Sequence, residues 1–463
     1  MTHIKGKYHF IGIGGIGMSG LAKLLIRNGS EVTGSDQEQT EVTDNLQKMG
    51  ADIKIGHSAE NIALPVRAVV ISAAIRETNP ELKLARENGC TVYKYAEMLG
   101  EMMNEYEGIA IAGTHGKSTS SGWLAHLLTA ASQGPNFIVG ADVAQLGDSS
   151  GTGPGKAFVA EACEYDRSFL NISPKIAVIL NIDHDHLDYY TGIDDIINAF
   201  TDFASGAKED GLIIANGQDR NVAALLINLP DRLKTLTFGL DWNCDISAHN
   251  IEIVDGLYHF DVYLGGQMLG RTKISLPGEH NIMNALAVTA SAMASGVKTD
   301  TVLRLLDGFT GIDRRLMFKA AQDGITVLDD YAHHPTEIRA SLGAIRQKYK
   351  PGRTICIFQP HQYSRTRFLL DDFAESFKLA DMTIVPDIYF VRDTAEMKKE
   401  VNSEVLVERI RGNGCQALFI KDFDSIFEYL KTIVKTGDLI VTMGAGDIWK
   451  VADEYIQWLR TDS

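Results

Sequence analysis

Short apolar runs alternate with amphipathic stretches along the whole chain, and polar, glycine-bearing loops follow the apolar runs. Apolar runs of about four to eight residues read as strands, and apolar residues spaced at i, i+3, i+4 and i+7 read as helices. The opening fits strand, glycine turn, helix, strand. YHFIGI is followed by Gly12-Ile13-Gly14-Gly15-Ile16-Gly17, then by MSGLAKLLIRN stopping at Asn28-Gly29, then by EVTGSD ending in Asp36. RAVVISAAI reads as a third strand, and the alternation continues to Tyr106. The pattern predicts a small α/β domain with a mostly parallel sheet over residues 1–106.

A second unit, 107–313, opens with EGIAIAGTHGKSTSSGWLAHLLTAA, a strand, a glycine-bearing loop and a helix. KAFVAEA, IAVILNI and GLIIANG are further strands, DDIINAFTDFASG is a helix, and EHNIMNALAVTASAMASG is a helix rich in small residues. Residues 233–276 alternate in short runs such as YHFDVYLGG and predict an antiparallel insertion. A third unit, 314–463, repeats strand, loop and helix in ITVLDDYAHHPTEIRASLGAIRQ, TICIFQPHQYSRTRFLLDDFAESFKLA and DLIVTMGAGDIWKVADEYIQWL. In each, the polar stretch lies just past the carboxyl end of the strand, where open α/β sheets bind ligands.

The 463 residues are 45% hydrophobic and 22% charged, a globular balance of two to four domains by the rough prior of ~150 residues each. The net charge of −16 argues against a non-specific nucleic-acid binder, which needs a cationic footprint. Anionic ligands remain open, because backbone N–H groups at a helix start can bind them. The five cysteines, Cys90, Cys163, Cys244, Cys356 and Cys415, form no C-x-x-C pair and read as reduced thiols in a cytoplasmic protein. No run approaches the ~18 apolar residues of a membrane span. The glycine-punctuated start does not read as a signal peptide. Neither nucleic acid nor membrane is an expected partner, and the chain is expected to be a monomer or homodimer.

Two glycine loops carry candidate chemistry. The first matches G-x-G-x-x-G with Asp36 after a helix and a strand, a turn that lets backbone N–H groups approach a diphosphate. Its readings are a nicotinamide or flavin cofactor, another diphosphate such as a UDP-sugar, or a purely structural turn. The second, Gly113-Thr114-His115-Gly116-Lys117-Ser118-Thr119, ends in the G-K-[ST] core of a phosphate loop. Backbone N–H groups there would cradle phosphates, Lys117 would supply a point charge, and a hydroxyl would reach Mg2+. The strict pattern wants Gly where Ile111 stands, so the match is to a shortened version.

Glu161 and His186 follow strands near that loop and are candidate Mg2+ ligands with Ser118. Imidazole is an uncommon partner of a hard cation, so His186 reads equally as a capping or hydrogen-bonding group. Asn281 and Asn284 stand at the start of the small-residue helix, where amides can read an adenine edge or cap and fill the interior. Arg314 and Arg315 can clamp phosphates or tie domains together. His333 and His334 precede a helix with Pro335 in its first turn, and Arg365 and Arg367 suit a carboxylate.

The motifs GIGGIGMSG, GTHGKST, EACEYD, NIDHDHLDYY, GEHNIMN, DRRL, DDYAHHPTEI, FQPHQYSRT and MGAGD, in this order over essentially the whole chain, resemble the Mur ligase family. The resemblance implies three α/β domains: an N-terminal Rossmann-like domain for a UDP-sugar, a central P-loop ATPase-like domain, and a C-terminal Rossmann-like domain for an amino acid. It implies ATP and Mg2+ as cofactors, and UDP-N-acetylmuramate and L-alanine as substrates joined through an acyl phosphate. Carried over residue by residue, it sets Lys117 on the γ-phosphate, Ser118 or Thr119 with Glu161 and His186 on Mg2+, and Asn281 and Asn284 at adenine. Arg314 and Arg315 would contact the nucleotide side. Gly14, Gly15, Gly17, Asp36, His57 and Ser72 would frame the UDP-sugar. His333, His334, Arg365 and Arg367 would face the amino acid and the reacting carboxylate.

Four positions depart from the family's usual pattern. Ser118 stands for Thr, Cys163 for Asp in the acidic strand-end motif, Gln362 for Arg, and Asp313 for the Gly before the arginine pair. Lys208 is the nearest candidate for the carbamylated lysine of some members. The competing readings are a sister ligase that attaches a tripeptide, an NAD-dependent oxidoreductase built on the first glycine turn, and a non-catalytic UDP-sugar- or ATP-binding protein.

Overall fold

A computed structural model describes residues 5–391, 393–394 and 396–462. Three sheets follow one another along the chain, each built on near-continuous apolar strands that need cover on both faces. The first comprises β1 (Lys7–Ile11), β2 (Glu31–Asp36), β3 (Asp52–Ile55), β4 (Ala68–Ile71) and β5 (Val92–Lys94). Its order is β3-β2-β1-β4-β5 and every pairing is parallel. β1 stops at Ile11, short of the predicted YHFIGI, because the N–H groups of Gly12 and Ile13 turn to Ser35 O. The run RAVVISAAI is the fourth strand: the largely exposed DIKI forms β3 before it, and its burial pattern shows why the apolar signal was too weak to see.

The central sheet has ten strands. They are β6 (Glu107–Ala112), β7 (Asn136–Val143), β8 (Asp148–Gly151), β9 (Ala157–Glu161), β10 (Ile176–Ile179), β11 (Leu212–Asn216), β12 (Lys234–Gly239), β13 (Ile246–Val254), β14 (Leu257–Leu264) and β15 (Gln267–Lys273). The order is β15-β14-β13-β12-β11-β10-β6-β9-β7-β8. The predicted antiparallel insertion over 233–276 needs correction. β12 pairs in parallel with β11 and with β13, and only β13, β14 and β15 form an antiparallel meander. That meander extends the sheet at its edge, where one wet face permits alternation.

The third sheet holds β16 (Met317–Gln322), β17 (Ile325–Asp330), β18 (Arg353–Phe358), β19 (Met382–Val385), β20 (Ala417–Phe419) and β21 (Asp438–Met443). Its order is β16-β17-β21-β18-β19-β20, parallel except for β16. The strands β17, β21 and β18 are neighbours, so the three polar loops that follow them share one edge.

Packing joins the units. The helix Tyr95–Asn104 shares a core with Phe158 and Phe169 of the central domain. Lys23 donates to Asp148 at 2.6 Å and Arg27 to Ser150 O at 2.9 Å, tying the first helix to β8. The helices Lys117–Ala130 and His280–Ala294 lie side by side on the central sheet, and the alanines of the second allow the close approach. Among the described residues no helix is long and apolar enough to cross a membrane.

Trp123 is fully buried in the helix after the phosphate loop and stacks on Phe309 with ring centroids 5.4 Å apart. Trp123→Ala is expected to destabilise the central domain by about 3–5 kcal/mol, read as an earlier urea-unfolding midpoint. An unchanged midpoint would contradict the packing described.

Candidate active site between the domains

The neighbouring parallel strands β9, β6 and β10 end at one edge, and each delivers a functional loop there. From β6 comes the phosphate loop. Gly116, with φ of +84°, caps the helix Lys117–Ala130, and a Cβ there would lie 2.9 Å from Asn284 Oδ1. Only glycine suits that left-handed, crowded position. Asn181, just past β10, braces the loop: its Oδ1 accepts from His115 N at 2.8 Å and its Nδ2 donates to His115 O at 3.0 Å.

Lys117 Nζ donates to Gly113 O and Thr114 O and pairs with Glu164 at 2.9 Å. Burial opposes the ammonium charge, but the carboxylates of Glu164 and Glu161 outweigh it and hold the lysine protonated. Glu164 is in turn held ionised against its own burial, by Lys117 and then by His186, whose Nε2 lies 3.5 Å away. Ser118 Oγ donates to Glu161 Oε2 at 2.8 Å, and Gly140 N donates to the same oxygen at 2.9 Å. Ser118 and Glu161 thus set two hard oxygen donors side by side at the loop's end, a pair that fits Mg2+. His186 Nε2 lies 3.5 Å from Glu164 Oε1 and 3.8 Å from Asp185 Oδ2. Cys163, between Glu161 and Glu164 in sequence, is exposed.

The D-H-D-H run after β10 meets the C-terminal domain. Thr336 Oγ1 donates to Asp183 Oδ2 at 2.9 Å, and His334 Nε2 lies 2.9 Å from His184 O. Arg365 directs Nε and NH2 at Asp185 Oδ1, at 3.1 and 2.9 Å. Burial opposes the Asp185 charge, and Arg365 overcomes it, holding the carboxyl well below the usual carboxylate range. The run is therefore an interdomain contact and not a solvated loop.

His115 spans the same boundary. Its Nε2 lies 3.4 Å from Asp183 Oδ2 and its Nδ1 lies 3.4 Å from Glu337 Oε1. Burial alone would neutralise the ring, but the two carboxylates outweigh burial and raise it to about 9. His115, Asp183 and His334 bring ligand atoms within 4.8 Å of one another. With a proton on each His115 nitrogen, this cluster is an ion-pair contact, and no metal is assigned to it.

A cavity of about 500 Å³ opens beside the phosphate loop, between the central and C-terminal domains. Asn281, Asn284 and Arg315 line it with apolar Leu180, Phe238 and Leu276. Asn284 Nδ2 donates to Asn281 Oδ1 at 3.0 Å, and Asn281 Nδ2 to Pro277 O at 2.7 Å, so the two amides are fixed in orientation. Arg315 donates to Glu337 at 3.2 Å. Asp330 lines the same cavity, and burial raises its carboxyl to about 6. His333 N donates to Glu337 Oε2 at 3.1 Å, and burial lowers the His333 ring to about 4, leaving it neutral at pH 7.

In the first domain, Asp36 Oδ2 accepts from Gly14 N at 2.7 Å, which fixes the glycine turn to the end of β2. A Cβ on Gly17 would lie 2.7 Å from the Tyr95 ring. Burial, then the charge of Glu161, push the Tyr95 phenol up. Tyr95 therefore packs against the glycine turn within electrostatic reach of the acidic end of β9. His57 and Ser72 follow β3 and β4 on the same edge, where Ser72 Oγ accepts from Ala74 N.

Not every predicted residue joins this cleft. Arg367 is exposed and pairs with Glu400. Arg314 donates to Asp329 at 3.0 Å and Gly444 O at 2.8 Å inside the C-terminal domain, so of the pair only Arg315 lines the cavity. Lys208 is corrected: its Nζ donates to Tyr106 O, just before β6 begins, at the opposite edge of the sheet from the phosphate loop. Glu337, Asp183 and Asp185 were not singled out. Asp183 and Asp185 lay inside the noted D-H-D-H run, and Glu337 lies in DDYAHHPTEI, four residues after His333, so their signal was adjacency to motifs.

Comparison with known proteins agrees over the whole length. Residues 7–107 match the Mur ligase family catalytic domain, 111–292 the Mur ligase middle domain, and 314–446 the Mur ligase, glutamate ligase domain. The UDP-N-acetylmuramate–L-alanine ligase of Caldanaerobacter subterraneus subsp. tengcongensis is 43% identical over 453 residues, covering 97% of both chains. That of Clostridium novyi is 42% identical over 452 residues with the same coverage. Among solved structures, the UDP-N-acetylmuramate-alanine ligase of Thermotoga maritima superimposes with a TM-score of 0.82 at 28% identity, over 99% of this chain and 100% of that one. The murein peptide ligase of Psychrobacter arcticus gives 0.73 at 25% identity, over 99% of each.

The His115 bridge has a pH signature. Its value is raised on folding, so its contribution is complete below the unfolded value near 6.5 and is lost as pH rises through about 9. The central and C-terminal domains are expected to loosen between about pH 8 and 10, read as a larger radius of gyration in small-angle scattering. His115→Gln should remove that step; a step of equal size in the variant would contradict the assignment.

Proposed function

The chain belongs to the Mur ligase family, and from that premise we propose that it joins L-alanine to the carboxylate of UDP-N-acetylmuramate in an ATP-driven reaction of peptidoglycan precursor synthesis. The observation that carries the reading is the meeting of the phosphate loop with the C-terminal domain beside one cavity, where His115 joins Glu337 and packs on His334. Relatives 42–43% identical over nearly the full length are UDP-N-acetylmuramate–L-alanine ligases, which supports alanine over a tripeptide. Family membership leaves the oxidoreductase reading without support. The proposed division is a UDP-sugar domain to residue 106, an ATP domain to 313 and an amino-acid domain beyond.

A carboxylate is a poor electrophile, so the reaction has to give it a leaving group. In the proposed sequence the muramate carboxylate oxygen attacks the γ-phosphorus of ATP, and ADP departs. The alanine amine then attacks the acyl carbon, and the tetrahedral intermediate collapses with loss of phosphate. The protein's part is positioning and charge neutralisation. Lys117, kept protonated, would meet the γ-phosphoryl oxygens, with Gly113, Thr114, His115, Gly116 and Thr119 shaping the loop around the phosphates. Asn281 and Asn284 would read adenine in the cavity, with Arg315 on the nucleotide side. Ser118 and Glu161 would hold Mg2+, which when bound neutralises phosphate charge.

Gly14, Gly15, Gly17, Asp36, His57 and Ser72 would frame the UDP-sugar. His333 is neutral at pH 7, and its Nδ1 lies 2.9 Å from Tyr331 O. A ring whose Nδ1–H donates to that carbonyl keeps Nε2 as the nitrogen able to take a proton from the alanine ammonium. His334 would hold the two domains in register through His184 O. Arg365 borders the cleft beside Asp185 and is the cation best placed for a carboxylate.

The test is phosphate release with ATP, Mg2+ and UDP-N-acetylmuramate, scanning amino acids. Release is expected with L-alanine and is expected to be far slower with the tripeptide. Lys117→Ala should lower turnover at least ~1000-fold, the scale of lost electrostatic stabilisation, while UDP-N-acetylmuramate binding stays measurable by calorimetry. Undiminished turnover in that variant would sink the reading.

A further inference from the structure

Beneath the glycine turn of the first domain lies a fully buried carboxylate that none of the proposed chemistry uses. Glu81 sits in the first turn of the helix Pro80–Glu87, and its side chain has no solvent exposure. Four donors converge on it. His9 Nε2, on β1, lies 2.7 Å from Oε2, and Ser35 Oγ, on β2, donates to the same oxygen at 2.8 Å. His57 Nδ1 lies 3.0 Å from Oε1, and Asn61 Nδ2 donates to that oxygen at 3.2 Å. These hydrogen bonds outweigh the burial penalty and hold Glu81 ionised. A buried carboxylate persists only where its lone pairs are satisfied, and here the partners come from separate segments of the domain.

The partners lead straight to the ligand edge. Ser35 places its hydroxyl on Glu81 and its carbonyl on the N–H groups of Gly12 and Ile13, which open the glycine turn. Gly56 N donates to Asp36 O, and Asp36 holds Gly14 N. His57 directs Nδ1 at Glu81 and Ser35, and among the described residues its Nε2 has no protein partner. A carboxylate accepts only, so it selects the tautomer with the proton on Nδ1 and leaves Nε2 as the unprotonated ring nitrogen. The His9 ring, fully buried between Thr33 and Glu81, closes the network from behind.

We propose that Glu81 is a positioning residue for the sugar nucleotide: it acts through His57 and Ser35, fixing the His57 ring and the glycine turn against the diphosphate, and touches no substrate itself. The inference rests on the UDP-sugar reading of this domain. Glu81→Gln keeps the volume but sets an amide donor against His57 Nδ1–H or against His9 and Ser35, so one of them must turn away.

The expected result for Glu81→Gln is a KM for UDP-N-acetylmuramate raised about tenfold, with kcat and the KM for ATP within about twofold. His57→Ala should show the same split. Adding Glu81→Gln to His57→Ala should then raise KM by less than it does in the wild-type protein, because the His57 route is shared and only the Ser35 route remains. Fully additive effects, an unchanged KM for the sugar nucleotide, or an equal fall in kcat would overturn the proposal. The wild-type protein offers a readout that depends on no variant's folding. 15N spectra of histidine-labelled protein should show the His57 proton on Nδ1, and a proton on Nε2 instead would overturn the proposal on its own. Wild-type protein that fails to bind UDP-N-acetylmuramate in calorimetry would overturn the UDP-sugar reading, whereas binding that Glu81→Gln leaves untouched would overturn only this inference.

Discussion

A positively charged imidazole held between carboxylates of two domains organises the active-site cleft. His115 belongs to the phosphate loop, Asp183 to the loop after β10, and Glu337 to the C-terminal domain. Around it lie the hydrogen bond from Thr336 to Asp183, the contact of His334 with His184 O, and the pairing of Arg365 with Asp185. Glu337 also receives Arg315, which places that arginine in the cavity. Removing the proton from that ring would leave two partly buried carboxylates near each other with less compensation, and like charges at short range are costly.

The chain is strongly acidic, yet its cleft is built from alternating charge. Lys117 lies between Glu164 and the loop carbonyls, His186 beside Glu164, Arg365 against Asp185, and Arg315 against Glu337. Each cation has an anion partner inside a low-dielectric cleft, and this arrangement fixes side chains that would otherwise be mobile. Fixed charges of this kind serve phosphoryl transfer, where little covalent work falls to the protein and much depends on position. The first domain uses the same device beneath its glycine turn, with Glu81 as the anion.

Much of this was legible along the chain. The parallel strands KYHFI, IAVI and DLIVTM are largely apolar, and the phosphate loop declares itself by glycines and Lys117 between a strand and a helix. Other elements were hidden for physical reasons. DSSG, which forms β8, holds no apolar residue, and β3 is mostly exposed. The site residues found in advance were those in motifs. Glu337, Asp183 and Glu81 were missed because their importance lies in what faces them, and Lys208 was misplaced because nearness in sequence says nothing about which edge of a sheet a side chain occupies.

The order of apolar and polar positions by itself determined three α/β units, the strands that are buried on both faces, and the loops that carry glycine, lysine, histidine and arginine at strand ends. Those properties are local, written in periodicity and in the backbone freedom of glycine. Only the tertiary structure decided which of those loops meet. Whether a histidine is charged, as His115 is, or neutral, as His333 is, depends on burial and on carboxylates contributed from elsewhere in the chain, and distances across a fold are not written in any short stretch of sequence.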